Sequence, residues 1–417
     1  IFFRFRYLDY ISQNLINLTN QTPVKRIFEA LNNYSESSEV RYVGGCVRKI
    51  INQEQIDDID LATNLNPKEI CDALTRRNVN FFESGIDHGT VTALINKQKF
   101  EITALRKDIS TDGRHAKVEF TTNWKEDALR RDFTINSIYA DKEGNLFDPL
   151  NGKKDLENGR IKFIGETEKR IKEDYLRILR YVRFFLNYSK EKHDEKTLKE
   201  IKKNLNGVLN LSSERLLDEL QKIIRSKNFL KLSKDQNCLE IIELIFPQLK
   251  NMSVFNKLNI YAKENLDKVD FIFLLALMLI DDTDNLDYFI YKFKLSKKDQ
   301  KRLLLIYDFY KSGTTSKNFS EKNLNSILYF NGKEALIDII NFKIFKSKKL
   351  DQNLIKLIEI FKDKKIPQLP LKTNILMTKY NLIEGKELGN KLKEIELYWV
   401  KNNFQISDEE VDKIINN

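Results

Sequence analysis

A strand, a tight turn and a helix are written into Val43-Gly44-Gly45-Cys46-Val47-Arg48, and ten residues further on stands Asp58-Ile59-Asp60. The apolar residues Val40 to Val43 end a strand. The two glycines let the backbone turn sharply and come close to a ligand, because no Cβ stands in the way. A short helix predicted over Cys46 to Ile51 then points its free N–H groups and positive dipole end at whatever sits over the glycines. That makes a site for phosphate, and Arg48 adds a fixed positive fork. Alternation about Ile59 turns the carboxylates of Asp58 and Asp60 to one face of a strand, with the isoleucine beneath. Two hard oxygen ligands beside a phosphate cradle suit Mg²⁺. A pair of such ions clamps both ends of an in-line phosphoryl displacement. A D-x-D alone is common in an acid-rich chain; its company with Gly-Gly and arginine carries the information.

The run from Gly44 to Thr63 resembles the first motif of the polymerase-beta-like nucleotidyltransferases, in the class II form found in tRNA CCA-adding enzymes and bacterial poly(A) polymerases. The resemblance implies an α/β nucleotidyltransferase head followed by an all-helical neck, body and tail. It also implies an enzyme with Mg²⁺ as cofactor, CTP and ATP as substrates and tRNA as partner.

The 417 residues suffice for roughly two to four domains with proper cores. No apolar run approaches the roughly 20 residues of a membrane span, so no membrane association is expected, and nothing points to a protein partner. A net charge of +10 suits a polyanionic partner. Cys46, Cys71 and Cys238 are widely separated and odd in number, which argues against a disulfide framework or a zinc site and for a reducing cytoplasm. Ile1 to Arg6 is too short to read as a targeting signal.

Residues 1–22, polar and Asn-rich, read as a loosely attached N-terminal extension. Pro23 opens an amphipathic helix through Leu31, and Asn66-Pro67-Lys68-Glu69 is a capped helix entry. Strands are predicted around Phe81 and Phe82, over Thr90 to Ile95 and over Phe100 to Leu105, so 23–150 reads as a mixed α/β head. From about residue 165 only helical patterns remain. Ile171, Tyr175, Ile178, Leu179, Val182, Phe185 and Leu186 predict one long helix at 3.6-residue spacing. The expected divisions are a neck over 151–230 carrying a nucleotide-selecting helix, a body over 231–315 and a tRNA-binding tail over 316–417. No arginine follows Arg302.

Glu101 lies between Phe100 and Ile102 and points away from them. Strand logic leaves it either solvent-facing or a third site carboxylate; the resemblance of Phe-Glu-Ile-Thr to the family's third acidic strand favours the latter. Asp112-Gly113-Arg114-His115 ends a polar stretch between strands and reads as a mobile loop. An ordinary surface hairpin is the alternative, whereas in CCA-adding relatives such a loop helps the site pass from accepting C to accepting A. Glu126 to Asn136 contains Arg130, Arg131 and Asp132, two cations and an acid able to bind triphosphate oxygens and a ribose hydroxyl, with Phe133 and Ile135 anchoring the segment. A solvated helix face would look the same; the string resembles the family's ribose-recognition motif, so Asn136 joins the nucleotide-binding set. Asp148 to Leu156 matches the family's hinge element, with Asn151 where relatives usually have glycine. Asn tolerates the left-handed conformation such a turn needs.

In the predicted long helix, Asp174 and Arg177 stand three apart and share a side, and Arg180 and Arg183 continue the basic series. An i,i+3 salt bridge is the plain reading. The other is base recognition: a carboxylate accepts from cytosine N4 or adenine N6, and a guanidinium donates to cytosine N3 or adenine N1. Uracil and guanine present a carbonyl where the amine should be. The match of Glu173-Asp174-x-x-Arg177 to the family's protein-template motif decides for base recognition. Ser213-Glu214-Arg215 with Glu219 resembles a later motif that braces the template helix, and the segment from Gly385 to Phe404 resembles the far C-terminal part of CCA-adding relatives.

The expected function is addition of C, C and A to the tRNA 3′ end with release of pyrophosphate. Asp58, Asp60 and Glu101 are catalytic, and Asp58 and Asp60 hold metal. Gly44, Gly45, Arg48 and the residues just described bind nucleotide. The rivals are a partial enzyme adding only C or only A, a poly(A) polymerase, and a non-catalytic RNA-binding protein that has kept the fold.

Overall fold

Apolar residues at every second position, Val91, Ala93 and Ile95 on one strand and Phe100, Ile102 and Ala104 on the next, bury one face of each. A sheet grows outward from this pair. The structure is a computed structural model that describes residues 2–111, 116–311, 318–371 and 373–416. The chain divides into two units. One comprises Ile1–Leu232 with Asn237–Ile245, the other Ser233–Gln236 with Phe246–Asn417. No described helix is long and apolar enough to cross a membrane.

The first unit opens with α1 (Phe2–Gln21) and α2 (Val24–Asn32), then β1 (Val40–Val43), α3 (Gly45–Ile51), β2 (Asp60–Thr63) and α4 (Pro67–Arg76). It continues through β3 (Asn80–Gly85), β4 (Thr90–Ile95), β5 (Gln98–Ala104), β6 (Arg106–Thr111), β7 (Ala116–Phe120), α5 (Trp124–Arg130), β8 (Tyr139–Ala140) and β9 (Leu146–Phe147). The main sheet runs β3-β4-β5-β2-β1-β8-β9. Only β2 and β5 pair in parallel, in a register that sets Asp60 opposite Glu101; every other pair is antiparallel. Strands β6 and β7 form a separate two-stranded ribbon. The loop residues Asp112, Gly113 and Arg114 lie outside the described residues.

Rather than a loosely attached stretch, residues 2–21 form α1. Ile11 and Leu15 are buried, and the Thr19 hydroxyl lies 2.8 Å from that of Tyr42 on β1. The helix also closes on the β8–β9 turn. Gly144, at φ +87°, lets Ser12 approach so tightly that a Cβ there would stand 2.5 Å from Ser12 Cα.

Helices follow: α6 (Gly152–Asn158), α7 (Thr167–Glu173), α8 (Leu176–Tyr188), α9 (Glu195–Asn204) and α10 (Ser213–Ile224). Asn151 takes the left-handed conformation (φ 57°, ψ 32°), and the Asp148 carboxylate accepts from the Gly152 and Lys153 amides at 2.7 and 2.9 Å. The single long helix predicted over 171–186 is two helices, α7 and α8. Asp174 breaks it with extended backbone (φ −156°, ψ 106°), and its side chain accepts from the Leu176 amide at 3.1 Å. Carboxylates favour this role at a helix start because they satisfy an orphan N–H.

After α11 (Gln236–Ile245), the second unit is helical throughout its described part. It contains α12 (Ile260–Glu264), α13 (Phe271–Leu279), α14 (Asn285–Phe293), α15 (Lys297–Lys311), α16 (Glu321–Lys346), α17 (Gln352–Asp363), α18 (Thr373–Tyr380), α19 (Lys386–Lys401) and α20 (Asp408–Asn416). Helix α13 is apolar around almost its whole circumference, as expected of a helix surrounded by others. Arg302 on α15 bonds Asp338 on α16 and Asp270, the residue capping α13. Leu324, Leu328, Leu336 and Ile340 of α16 pack with Leu354 and Phe361 of α17; Leu376, Leu388, Ile395 and Val411 form a further cluster among α18, α19 and α20.

Candidate active site

Gly44 sits at φ +69° and ψ −118°, a conformation L side chains rarely adopt, and α3 starts immediately after it. The bend brings Gly45 to the carboxylate: a Cβ there would stand 4.0 Å from both Asp60 Oδ2 and Arg48 Nη2. Asp60 is the first residue of β2, and exposed Asp58 lies just before the strand rather than in it. Burial, then the charges of Glu101 and Asp58, push the Asp60 carboxyl up to about 6 against the pull of Arg131 and Arg48. Crowded carboxylates of this kind are relieved by a divalent cation, and their hard oxygens are the donors it takes. The set is open: the three residues do not bring ligand oxygens all within 4.8 Å of one another. The Cys46 thiol beneath it donates to the Val43 carbonyl at 3.3 Å, and burial pushes its pKa up to about 11.

Around these residues the first unit forms a half-open cavity of about 1400 Å³. Gly44, Gly45, Arg48, Asp58, Asp60, Arg130, Arg131, Asp132, Asn136, Asp174, Arg177, Arg180 and Arg183 all line it. Glu101, exposed on β5 beside Asp60, does not.

The cationic wall is held from behind. Buried Asp127 accepts from Arg130 Nε at 2.8 Å, from Arg131 Nη2 at 3.0 Å and from the Tyr139 hydroxyl at 2.6 Å. Burial works against that charge, yet Arg131 and Arg130 hold the carboxyl well below the ordinary range. Asp132 accepts from Arg180 Nε at 2.6 Å and Asn136 Nδ2 at 2.9 Å, and Asn136 in turn accepts from Arg48. Despite burial, Arg180 and Asn136 bring Asp132 down to about 2. Arg183 is paired with buried Glu219 at 2.5 Å.

Asp174 and Arg177 share the cavity wall without forming the i,i+3 salt bridge. Arg215 Nη2 donates to both carboxylate oxygens of Asp174, at 3.0 and 2.8 Å, and Arg177 Nη1 bonds Glu173 at 2.5 Å and the Arg170 carbonyl at 2.9 Å. Arg170, absent from the sequence reading, links this corner to the segment that carries Arg130 and Arg131. Its guanidinium bonds Glu173 at 2.7 Å, the Leu129 carbonyl at 2.9 Å and the Arg131 carbonyl. The one signal for it was its place three residues before Glu173. Phe184 and Tyr188, also unflagged, line the same wall.

The fold and this cavity, carboxylates facing a fan of arginines, define a nucleotidyltransferase. Residues 40–162 match the model of the poly A polymerase head domain, and 192–252 match a probable RNA and SrmB-binding site of polymerase A. The chain is 31% identical over 385 residues to the human mitochondrial CCA tRNA nucleotidyltransferase 1, covering 90% of this chain and 86% of that one. It is 31% identical over 371 residues to the CCA-adding enzyme of Streptococcus uberis, covering 86% and 87%. Among solved structures, the Bacillus stearothermophilus CCA-adding enzyme in complex with CTP superimposes with a TM-score of 0.71 at 20% identity, over 94% of this chain and 97% of that one. The Thermotoga maritima CCA-adding enzyme complexed with tRNA gives 0.60 at 20% identity, over 97% and 98%. The chain belongs to the family of CCA-adding tRNA nucleotidyltransferases, enzymes that use a divalent metal.

Proposed function

We propose that this chain adds C, C and A to the 3′ end of tRNA from CTP and ATP, releasing pyrophosphate. The observation that carries the reading is one cavity holding the Asp58/Asp60 carboxylates, the arginine wall and the Asp174/Arg177 corner. Its volume exceeds the 300–1,000 Å³ usual for a small-molecule pocket, as an end of RNA and a nucleotide held together would require.

Asp58 and Asp60 would hold Mg²⁺, which when bound helps the 3′-hydroxyl ionise and offsets charge on the leaving group. Arg130 and Arg131, fixed by Asp127, and Arg48 bind the triphosphate, and Gly44 and Gly45 let it approach the backbone. Asp132, steadied by Arg180 and Asn136, serves the ribose region, with Arg183 braced behind by Glu219. Asp174 and Arg177 read the base. In this arrangement Arg215 and Glu173 hold the two side chains apart, so reading a base is an exchange of partners rather than the breaking of a mutual pair. Glu101 acts on the site through its charge on Asp60. Catalysis is positioning plus electrostatics.

The functional division proposed is a head over 23–150 preceded by the 1–22 extension, a neck over 151–230, a body over 231–315 and a tail over 316–417 that grips the tRNA by shape and phosphate contacts. The loop at Asp112, Gly113 and Arg114 switches the site from C to A. No disulfide joins Cys46, Cys71 or Cys238 among the described residues, which suits a reducing compartment; the vertebrate relatives are named mitochondrial, so the expected cytoplasm is one of two settings that suit the thiols. Purified protein incubated with tRNA lacking its 3′ end, and with each nucleotide separately and together, tests the whole reading. CTP alone should give two additions and CTP with ATP three. Extension by ATP into long tails, or by one nucleotide only, would replace it with a poly(A) polymerase or a partial enzyme.

A further inference from the structure

Arg48 is only 6% exposed, yet it makes no ion pair within the described residues, and its Nε has no hydrogen-bond partner. Among the described residues its guanidinium donates one hydrogen bond, to the Asn136 side chain. What lies against its guanidinium is aromatic: the Phe184 ring centroid at 4.8 Å and that of Tyr188 at 5.2 Å. The Phe184 ring also carries Arg183 at 4.3 Å and Arg180 at 5.7 Å. Three guanidiniums thus converge on one ring that is 2% exposed and set edge-on to Phe133, the neighbour of Asp132, at 5.3 Å.

We propose that Phe184 is a positioning residue for the nucleotide: its ring holds Arg48, Arg180 and Arg183 together at the cavity wall before any phosphate arrives. This rests on reading the cavity as the nucleotide site. Like charges this close repel, and something must oppose the repulsion. Asp132 and Glu219 do so for Arg180 and Arg183. A carboxylate on Arg48 would do so too, but would then compete with the triphosphate for the same N–H groups. An aromatic face attracts a guanidinium through its quadrupole while leaving the full positive charge and the edge donors available. The ring therefore supports the cation without neutralising it.

Replacing Phe184 by mono-, di- and trifluorophenylalanine in the full-length protein keeps the ring's shape and weakens its negative face step by step. Cation–π contacts are worth enough that KM for both CTP and ATP should climb progressively, by about tenfold at the end of the series. Expected alongside are a kcat within about twofold of wild type and an unchanged melting temperature. Phe184→Leu should reach a comparable KM. A KM flat across the fluorinated series overturns the proposal, even if Phe184→Leu is inactive, because the leucine variant would then be reporting lost packing. Calorimetric titration of the unmodified protein with CTP separates the two levels. Absence of binding there removes the nucleotide-site reading and this proposal with it, whereas normal binding with a flat series removes this proposal alone.

Discussion

Asp127 gathers two arginines and a tyrosine hydroxyl around a carboxylate that is 1% exposed. Removing its charge would leave two guanidiniums pressed together without a counter-ion. Breaking a buried pair from one side costs about 3–5 kcal/mol, so Asp127→Asn should lower the unfolding free energy by about 3 kcal/mol in urea titrations and weaken triphosphate binding besides. Asp127 and Asp132 both have folded pKa values below the ordinary aspartate range, Asp132 at about 2. Their stabilisation is therefore fully present above about pH 4, the unfolded value; that of Asp132 is lost as pH falls through about 2, and that of Asp127 as pH falls through its own depressed value. Acid unfolding followed by circular dichroism should show that loss, shrunken in Asp127→Asn. Asp174 is the second residue to test. Losing a hydrogen bond to a charged group costs roughly 1.5–3 kcal/mol, so in Asp174→Ala the use of CTP and ATP should drop by about tenfold or more while UTP and GTP gain relative to them. Unaltered ratios of kcat/KM among the four nucleotides would remove Asp174 from base selection. The motif residues themselves were legible in the sequence because their types and spacing are local. Their partners were legible only in part: the resemblance names Arg215 and Glu219 as braces, and they meet Asp174 and Arg183, but no periodicity announces that Arg180 reaches Asp132 across 48 residues.

At the scale of elements, alternation and capping carried well: β1 over Val40–Val43, the Asn66 capping box on α4 and the left-handed Asn151 all follow from neighbouring residues. Two elements did not. Apolar spacing runs unbroken through Ile171, Tyr175 and Ile178, so periodicity alone cannot tell one helix from two laid end to end. In α1 the prevailing asparagines masked Ile11 and Leu15, four residues apart on a buried face. The break between α7 and α8 has a steric guard: a Cβ on Gly207 would lie 1.9 Å from the Tyr175 ring. Gly207→Ala must push that ring aside, next to Asp174. Overpacking of this kind costs about 1–3 kcal/mol, so the variant should melt several degrees lower. It should also misincorporate more than a variant destabilised equally at a site in the second unit; equal fidelity in the two would reduce Gly207 to a packing position.

Across the whole molecule, arginine and lysine divide the work. The cavity wall of the first unit is built mainly from arginines, whose planar forks suit fixed bidentate contacts, with Lys49, Lys222 and Lys227 beside them, while after Arg302 the basic residues are all lysines, mobile point charges. Under the proposed function, tRNA affinity comes largely from the diffuse lysine charge and chemistry from the carboxylates, and the two should separate. Each neutralised phosphate releases counterions, so a footprint of about six phosphates would lose about a thousandfold in affinity between about 50 and 200 mM salt. Asp60→Ala removes a negative charge from the catalytic corner and touches none of the lysines. Its tRNA dissociation constant and the slope of log affinity against log salt should match those of wild type, measured by fluorescence anisotropy on the full-length protein, while nucleotide transfer at saturating Mg²⁺ falls to background. Transfer at a wild-type rate would remove Asp60 from the metal site. A large change in the salt slope would instead mean that the tRNA backbone is held mainly at the cavity, leaving the lysine-rich helices to some other task.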